Sequence, residues 1–100
     1  MNIIIKSVNF KASDNLKAFI HEKLKKLFRY SDNIIRVNTV LRKGESKNPQ
    51  NKLCEIRLIV PGYDHYVKKS SEEFQRSVSQ SVEVLEEILR RNKTRLLINR

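Results

Sequence analysis

Hydrophobic positions in the first third of the chain change from the spacing of a strand to that of a helix. Residues 2–8 are rich in isoleucine and predict a short strand. From Ser13, whose hydroxyl can cap a helix N-terminus, apolar residues recur every three or four positions to about Tyr30, which predicts an amphipathic helix. Its apolar stripe consists of Leu16, Phe19, Ile20, Leu24, Leu27 and Phe28.

The middle of the chain predicts three consecutive strands. Apolar and polar residues alternate in each of them, as expected for strands with one buried face. Residues 43–52 have no apolar side chain and predict a loop, whereas Pro61 and Gly62 predict a tight turn. Strands joined by connections of this kind form an antiparallel meander. The predicted strands are residues 35–42, 54–60 and 63–69.

The last third predicts one long helix that begins at Ser70 or Ser71 and reaches about Leu96. Ser70 and Glu73 have the spacing of a capping box. Because each helix has one apolar stripe, both helices must pack on the same face of the sheet. The sequence therefore predicts an α+β fold of order β-α-β-β-β-α, with a four-stranded sheet and two helices on one face. The second stripe consists of Phe74, Val78, Val82, Leu85, Ile88 and Leu89.

The composition is that of one folded domain. With 100 residues, of which 39% are hydrophobic, the chain is long enough for a single core, and we predict one domain over residues 1–100. Its one cysteine, Cys54, cannot form an internal disulfide, which favours a reducing, cytoplasmic location. No apolar run is long enough to cross a membrane.

Positive charge is the feature that points to function. The chain has 21 Lys and Arg against 11 Asp and Glu, a net charge of +10, which predicts a polyanion partner. Two helices lying side by side would form an electropositive surface suited to following an RNA backbone. Some charges at the end of the second helix can also serve the helix dipole. The two clusters are Lys17, Lys23, Lys25, Lys26 and Arg29 in the first helix and Arg90, Arg91, Lys93 and Arg95 in the second.

Three side chains have two interpretations each. Lys23 lies at the edge of the first apolar stripe, where it can either cover the core with its stem or hold its ammonium at a groove. Tyr63 and Tyr66 can either stack on RNA bases or pack at a sheet edge or turn. Periodicity alone does not separate these alternatives.

The sequence gives little support to catalysis or metal binding. The two histidines, His21 and His65, lie on different elements, Cys54 takes an inward position on a strand, and there is no Gly-rich phosphate loop. We therefore predict no enzymatic activity, no metal site, no cofactor and no small-molecule substrate. The first helix lacks Trp and needs its apolar stripe for the core, which argues against membrane binding.

Several motifs make the chain resemble a known family over nearly its whole length. They are Asn9 to Leu16 after the opening strand, Lys23 to Leu27 with Tyr30, Val60 to Gly62, Glu72 to Phe74, and Leu85 and Glu86 with Leu89 to Lys93. In this order and spacing they resemble the ribosome hibernation promoting factors. That family is also known as protein Y, ribosome-associated inhibitor, and sigma-54 modulation or ribosomal subunit interface proteins.

The resemblance implies a fold like the double-stranded RNA binding domain and a place on the small ribosomal subunit, between the subunits. There the family overlaps the path of messenger and transfer RNA, which implies a translation inhibitor that keeps idle ribosomes inactive. The implied partners are the small subunit and its ribosomal RNA. Position by position, the family's basic residues match Lys17, Lys23, Lys26, Arg29, Arg91 and Arg95. With the neighbouring Arg90 and Lys93, the predicted RNA-binding set is Lys17, Lys23, Lys26, Arg29, Arg90, Arg91, Lys93 and Arg95.

The chain departs from the family pattern at Val84 and Glu87, where the family often has Lys and Arg, so the central part of the RNA surface is expected to differ. The sequence to Arg100 contains no segment that resembles the C-terminal dimerisation domain of long members or the acidic tail of inhibitor-type members, so the resemblance leads us to expect the short, hibernation-promoting form. Because both apolar stripes are used inside the fold, we expect a monomer when free. The alternative function is an RNA-independent, protein-binding regulator such as a sigma-factor modulator.

Overall fold

The fold consists of four strands and two α-helices in the order β-α-β-β-β-α. We describe a computed structural model for residues 2–98, with side chains up to Asn92. A 3₁₀ turn, Lys26–Arg29, follows the first helix. The other elements are β1 (Ile3–Val8), α1 (Asp14–Lys25), β2 (Arg36–Lys43), β3 (Lys52–Val60), β4 (Tyr63–Ser71) and α2 (Phe74–Ile98).

The strands form one sheet in the order β1-β2-β3-β4. The pairs β2–β3 and β3–β4 are antiparallel, which confirms the predicted meander. β1 pairs with β2 in parallel, and α1 lies in the crossover connection that a parallel pair requires. Gly62, at φ 93°, supplies the left-handed conformation in the turn between β3 and β4.

Both helices pack on one face of this sheet, which confirms the predicted α+β fold. Alternate residues of the central strands are buried against them, while the other face of the sheet has no helix. α2 packs on β3 and β4, and α1 packs beside α2. The fully buried side chains of the core include Ile20, Leu24, Leu27, Val37, Thr39, Leu41, Cys54, Ile56, Leu58, Val78, Val82 and Leu85.

Contacts at both ends of the helix pair show that α1 and α2 run in the same direction. Before α1, the ring of Phe10 stacks on Phe74 at the start of α2, with centroids 4.5 Å apart. After the 3₁₀ turn, the Tyr30 hydroxyl donates to Glu86 Oε2 of α2 over 3.2 Å. Both helices therefore end on the same side of the molecule, and the basic clusters near their ends share that side.

The first helix is shorter than predicted. Ser13 caps it as expected, since its Oγ accepts from Leu16 N–H over 3.1 Å. The α-helix then ends at Lys25 instead of Tyr30, and the chain tightens into the 3₁₀ turn. Tightening of this kind satisfies carbonyl groups at a helix end. It also keeps Leu27 fully buried.

The second helix begins later than predicted, at Phe74, and the capping box of Ser70 and Glu73 is wrong. Ser71 instead ends β4, where it pairs with Lys52. Its hydroxyl lies 2.7 Å from the Ser77 hydroxyl, which donates to the Lys52 carbonyl over 2.6 Å. These contacts between helix and sheet favour an extended chain through Ser71.

The loop between β2 and β3 is shorter than the predicted residues 43–52, because Lys43 and Lys52 belong to strands. Gly44 N–H donates to the Asn51 carbonyl over 2.8 Å, and Asn51 Nδ2 donates to the Glu45 carbonyl over 3.1 Å. The loop lies at the end of the sheet where α2 begins, since Lys52 pairs with Ser71. None of the helices within residues 2–98 has the length and apolar content needed to span a lipid bilayer.

Candidate nucleic-acid interface

The structure divides the first basic cluster into two parts. Lys26 and Arg29 are exposed in the 3₁₀ turn, where side chains three positions apart lie on the same side. Lys17 is exposed on α1 but lies about 120° around the helix from Lys23. The buried residues of the stripe occupy the arc between those two lysines. Lys23, Lys26 and Arg29 therefore form the compact part of the cluster, and Lys17 lies apart from it.

Lys23 covers part of the core with its stem, as the first interpretation of its sequence position predicts, and its role as an RNA contact stays a prediction. Its side chain is half-buried, and its Nζ lies 5.5 Å from the centroid of the Phe19 ring. Phe19 itself packs against the core. A cation–π contact at a partly exposed site contributes about 0.5–1 kcal/mol. The stem thus covers apolar surface while the ring holds the ammonium at the edge of α1.

The second basic cluster is partly neutralised by Glu87. Arg90 and Arg91 form ion pairs with its two carboxylate oxygens, over 3.2 and 3.1 Å. The side chains of these arginines are 60% and 71% exposed. Exposed helix pairs of this kind contribute about 0.3–0.5 kcal/mol each, so a phosphate group can replace the carboxylate at little cost. The side chains of Lys93 and Arg95 lie outside the described residues.

The middle of α2 is neither basic nor fully exposed. Val84 packs against the core, and the half-buried Glu86 accepts the hydrogen bond from Tyr30. Glu83 is exposed. Glu86 therefore has a structural use, because its hydrogen bond joins the end of the 3₁₀ turn to α2.

The helix-free face of the sheet has charges of both signs. Arg42 pairs with Glu55 over 3.4 Å, and Arg57 pairs with Asp64 over 3.3 Å. The Tyr66 hydroxyl donates to Glu55 over 3.0 Å, and the Arg57 guanidinium lies 5.5 Å from the Tyr66 ring centroid. Desolvation and this bond to Glu55 raise the pKa of Tyr66. Tyr66 thus packs within the network of the helix-free face, on the side of the sheet away from the basic clusters.

The residues considered for catalysis are separated. Cys54 is fully buried, and its burial raises the pKa of the thiol to about 12, so the thiol stays protonated at neutral pH. His21 is exposed on α1, whereas His65 is half-buried on β4. Within the part of the chain that the structure describes, no three His, Cys, Asp or Glu side chains come close enough to hold a metal ion.

A cavity of about 430 Å³ adjoins the basic cluster and was not evident from the sequence. It lies between the 3₁₀ turn, the residues that follow it, the β3–β4 turn and the C-terminal part of α2. Its lining includes Arg29, Tyr30, Tyr63, His65 and Asn92. These residues come from separate elements, so no local spacing links them. The two tyrosines that the sequence could not distinguish therefore differ, since Tyr63 lines the cavity and Tyr66 does not.

Sequence comparison relates this chain to a protein family and to a curated protein. The sequence profile described as Sigma 54 modulation protein / S30EA ribosomal protein matches residues 3–97. The chain is 29% identical over 94 residues to a ribosome hibernation promotion factor of Deinococcus radiodurans. That match covers 92% of this chain and 49% of the relative, so the chain spans about half the length of this curated protein.

Solved structures with the same fold are also found. The N-terminal domain of Thermus thermophilus protein Y has a TM-score of 0.77 at 24% identity, covering 91% of this chain and 98% of that domain. A ribosomal subunit interface protein from Coxiella burnetii has a TM-score of 0.77 at 20% identity, covering 94% of this chain and 99% of that protein. These neighbours share the arrangement of four strands and two helices described above.

Proposed function

Because the chain belongs to the sigma 54 modulation protein / S30EA ribosomal protein family, we propose that it binds the small ribosomal subunit and keeps idle ribosomes inactive. In this proposal it occupies the RNA channel between the subunits, in the cytoplasm, as a monomer before binding. The observation that carries the proposal is the family match over residues 3–97, on a chain with a net charge of +10. The role of keeping idle ribosomes inactive is inferred from the similarity to the ribosome hibernation promotion factor, of whose length this chain spans about half.

Lys23, Lys26 and Arg29 are the proposed centre of RNA contact. They lie at steps of three residues along the end of α1 and the 3₁₀ turn, and two of them are exposed. An RNA backbone presents phosphates in a row, which a short row of cations can neutralise. The guanidinium of Arg29 can hold a phosphate with two parallel hydrogen bonds, whereas each lysine acts as a compact point charge.

The proposed surface continues to Arg90 and Arg91 at the same end of the molecule. Arg90 lies about 40° around α2 from Glu86, which contacts Tyr30, whereas Arg91 lies about 140° from it. Arg90 therefore lies closer to the first cluster than Arg91 does. Lys17, on the other flank of the α1 stripe, is proposed as a peripheral contact.

Replacing Glu87 by Gln should strengthen binding to small subunits about two- to fivefold, which corresponds to about 0.5–1 kcal/mol. The change removes a carboxylate that pairs with Arg90 and Arg91 and would lie near the RNA phosphates. A binding titration with purified small subunits at fixed salt measures the effect. Glu72→Gln is the matched control, because it changes the net charge equally at an exposed site before α2. Equal gains from both variants would show that only net charge matters.

Sedimentation with separated ribosomal subunits tests the proposed function itself. We expect the chain to travel with the small subunit and not with the large one. The protein-binding alternative predicts a chain that stays at the top of the gradient in both cases. The use of purified particles excludes other proteins of a lysate as the cause of comigration.

A further inference from the structure

The cavity beside Arg29 has the size of a binding site for part of a nucleotide. At about 430 Å³ it falls within the range of small-molecule sites, about 300–1,000 Å³. Its apolar lining includes Val60, Pro61 and Leu89. Asp32 and Asn33, which follow the 3₁₀ turn, add polar groups. The lining of the cavity therefore combines apolar side chains and aromatic rings with a similar share of polar groups, and a nucleobase, which has an apolar face and a polar edge, can contact both kinds.

One wall of the cavity is an aromatic side chain that contacts both β4 and α2. Tyr63 is 56% exposed, and its ring packs edge-on against the His65 ring, with centroids 4.9 Å apart and an interplanar angle of 87°. Its hydroxyl accepts from Asn92 Nδ2 of α2 over 3.5 Å. These contacts to β4 and α2 favour the observed position of the ring, whose exposed surface is available for stacking of a nucleobase.

His65 also lines the cavity, and one of its ring nitrogens has no hydrogen-bond partner in the part of the chain that the structure describes. His65 Nε2 is buried and has no hydrogen-bond partner among the described residues. Leaving such an atom unpaired costs about 1–3 kcal/mol, which a ligand recovers when the imidazole ring turns to bring this nitrogen to the cavity surface. The edge of a nucleobase has both donors and acceptors, so it can bond to this imidazole nitrogen in either of its neutral forms.

Arg29 connects the cavity to the proposed RNA surface. It lines the cavity and also belongs to the row formed with Lys23 and Lys26. A phosphate held by Arg29 would bring its own nucleotide to the cavity. A site that binds only phosphate would need the Arg29 guanidinium. It would not need the aromatic ring of Tyr63 or the unpaired ring nitrogen of His65.

From these observations we propose that the cavity receives one unpaired nucleobase of the bound RNA, stacked on Tyr63 and hydrogen-bonded to His65. This proposal rests on the proposed function, because it extends the same RNA surface. In addition to contacts with the RNA backbone, the protein then has a site for one base. Such a site lets the protein distinguish an unpaired nucleotide from a continuous double helix.

NMR titration of the whole chain with adenosine monophosphate tests the proposal, with inorganic phosphate as a parallel probe. We expect the nucleotide to shift the resonances of His65 and Asn92, and phosphate to leave them in place. Tyr63→Leu should weaken nucleotide binding about tenfold or more, given the usual contribution of base stacking. Tyr66→Leu, on the other face of the sheet, is the matched control and should have no effect. Equal shifts with phosphate would overturn the nucleobase assignment.

A second comparison separates this proposal from the proposed function. Sedimentation with small subunits is measured on the same protein as the nucleotide titration. Ribosome binding without any nucleotide effect at His65 and Asn92 would overturn the cavity proposal and leave the proposed function in place. Nucleotide binding that depends on Tyr63, in a chain that binds no subunit, would support the nucleobase cavity and contradict the proposed function.

Discussion

Reversing Lys23 and Lys26 together to Glu is expected to abolish association with the small subunit, lowering the affinity at least about a hundredfold. Two favourable phosphate contacts are lost and two repulsive ones appear, and like charges placed together at an interface cost several kcal/mol. Lys26 is exposed and Lys23 half-buried, so the fold should persist. The contact between Lys23 and Phe19 would be lost, at a cost of about 0.5–1 kcal/mol in stability. Cosedimentation measures the binding, and thermal unfolding checks the fold.

Lys43 and Lys47 provide the matched control for this experiment. Reversing them changes the net charge by the same amount. However, Lys43 is the last residue of β2 and Lys47 lies in the following loop, at the end of the sheet that is opposite the ends of the two helices. We expect a much smaller loss of affinity, with the pair Arg91 and Arg95 giving an intermediate loss. If the Lys43 and Lys47 pair proves more important than the Lys23 and Lys26 pair, the proposed mode of binding is wrong even when the ribosome is the partner.

Salt should weaken binding steeply. If the surface contacts about six to eight phosphates, the slope of log affinity against log salt is about −4 to −7. Raising the salt from about 50 to about 200 mM then lowers the affinity by about two to four orders of magnitude. The cause is the return of counterions to the RNA when each cation leaves its phosphate.

A titration with small subunits at several salt concentrations measures this slope. Lys26→Ala should make it shallower by about 0.7–0.9, the contribution of one phosphate contact, while Lys47→Ala should leave it unchanged. A slope near zero in the unmodified protein would rule out an electrostatic RNA surface. It would favour the protein-binding regulator instead.

The sequence was sufficient to predict the order of elements and the single helix-covered face. Apolar residues recur every three or four positions in the helices and every second position in the strands, which separates the two kinds of element. Because each helix has one apolar stripe, the predicted arrangement has both helices on one face of the sheet. The start of α2 was predicted wrongly because Ser70 and Ser71 have the local chemistry of a cap. The contacts of Ser71 and Ser77 across the helix and sheet determine the outcome, and they are not visible in local sequence.

The candidate site was predictable only in part. The position of Lys23 at the edge of a stripe indicated a partly buried lysine, but not the contact of its ammonium with Phe19. The pairing of Glu87 with Arg90 and Arg91 could have been predicted, because these residues are three and four positions apart on one helix. The cavity could not, since Tyr63 and the other residues that line it come from separate elements.

The most direct test of the central claim, that this chain binds ribosomal RNA of the small subunit, is sedimentation with each purified subunit at low salt. We predict that the chain appears with the small subunit, is absent from the large-subunit fraction, and returns to the top of the gradient after ribonuclease digestion of the particles. A folded chain that stays at the top of the gradient with both intact subunits would contradict the claim.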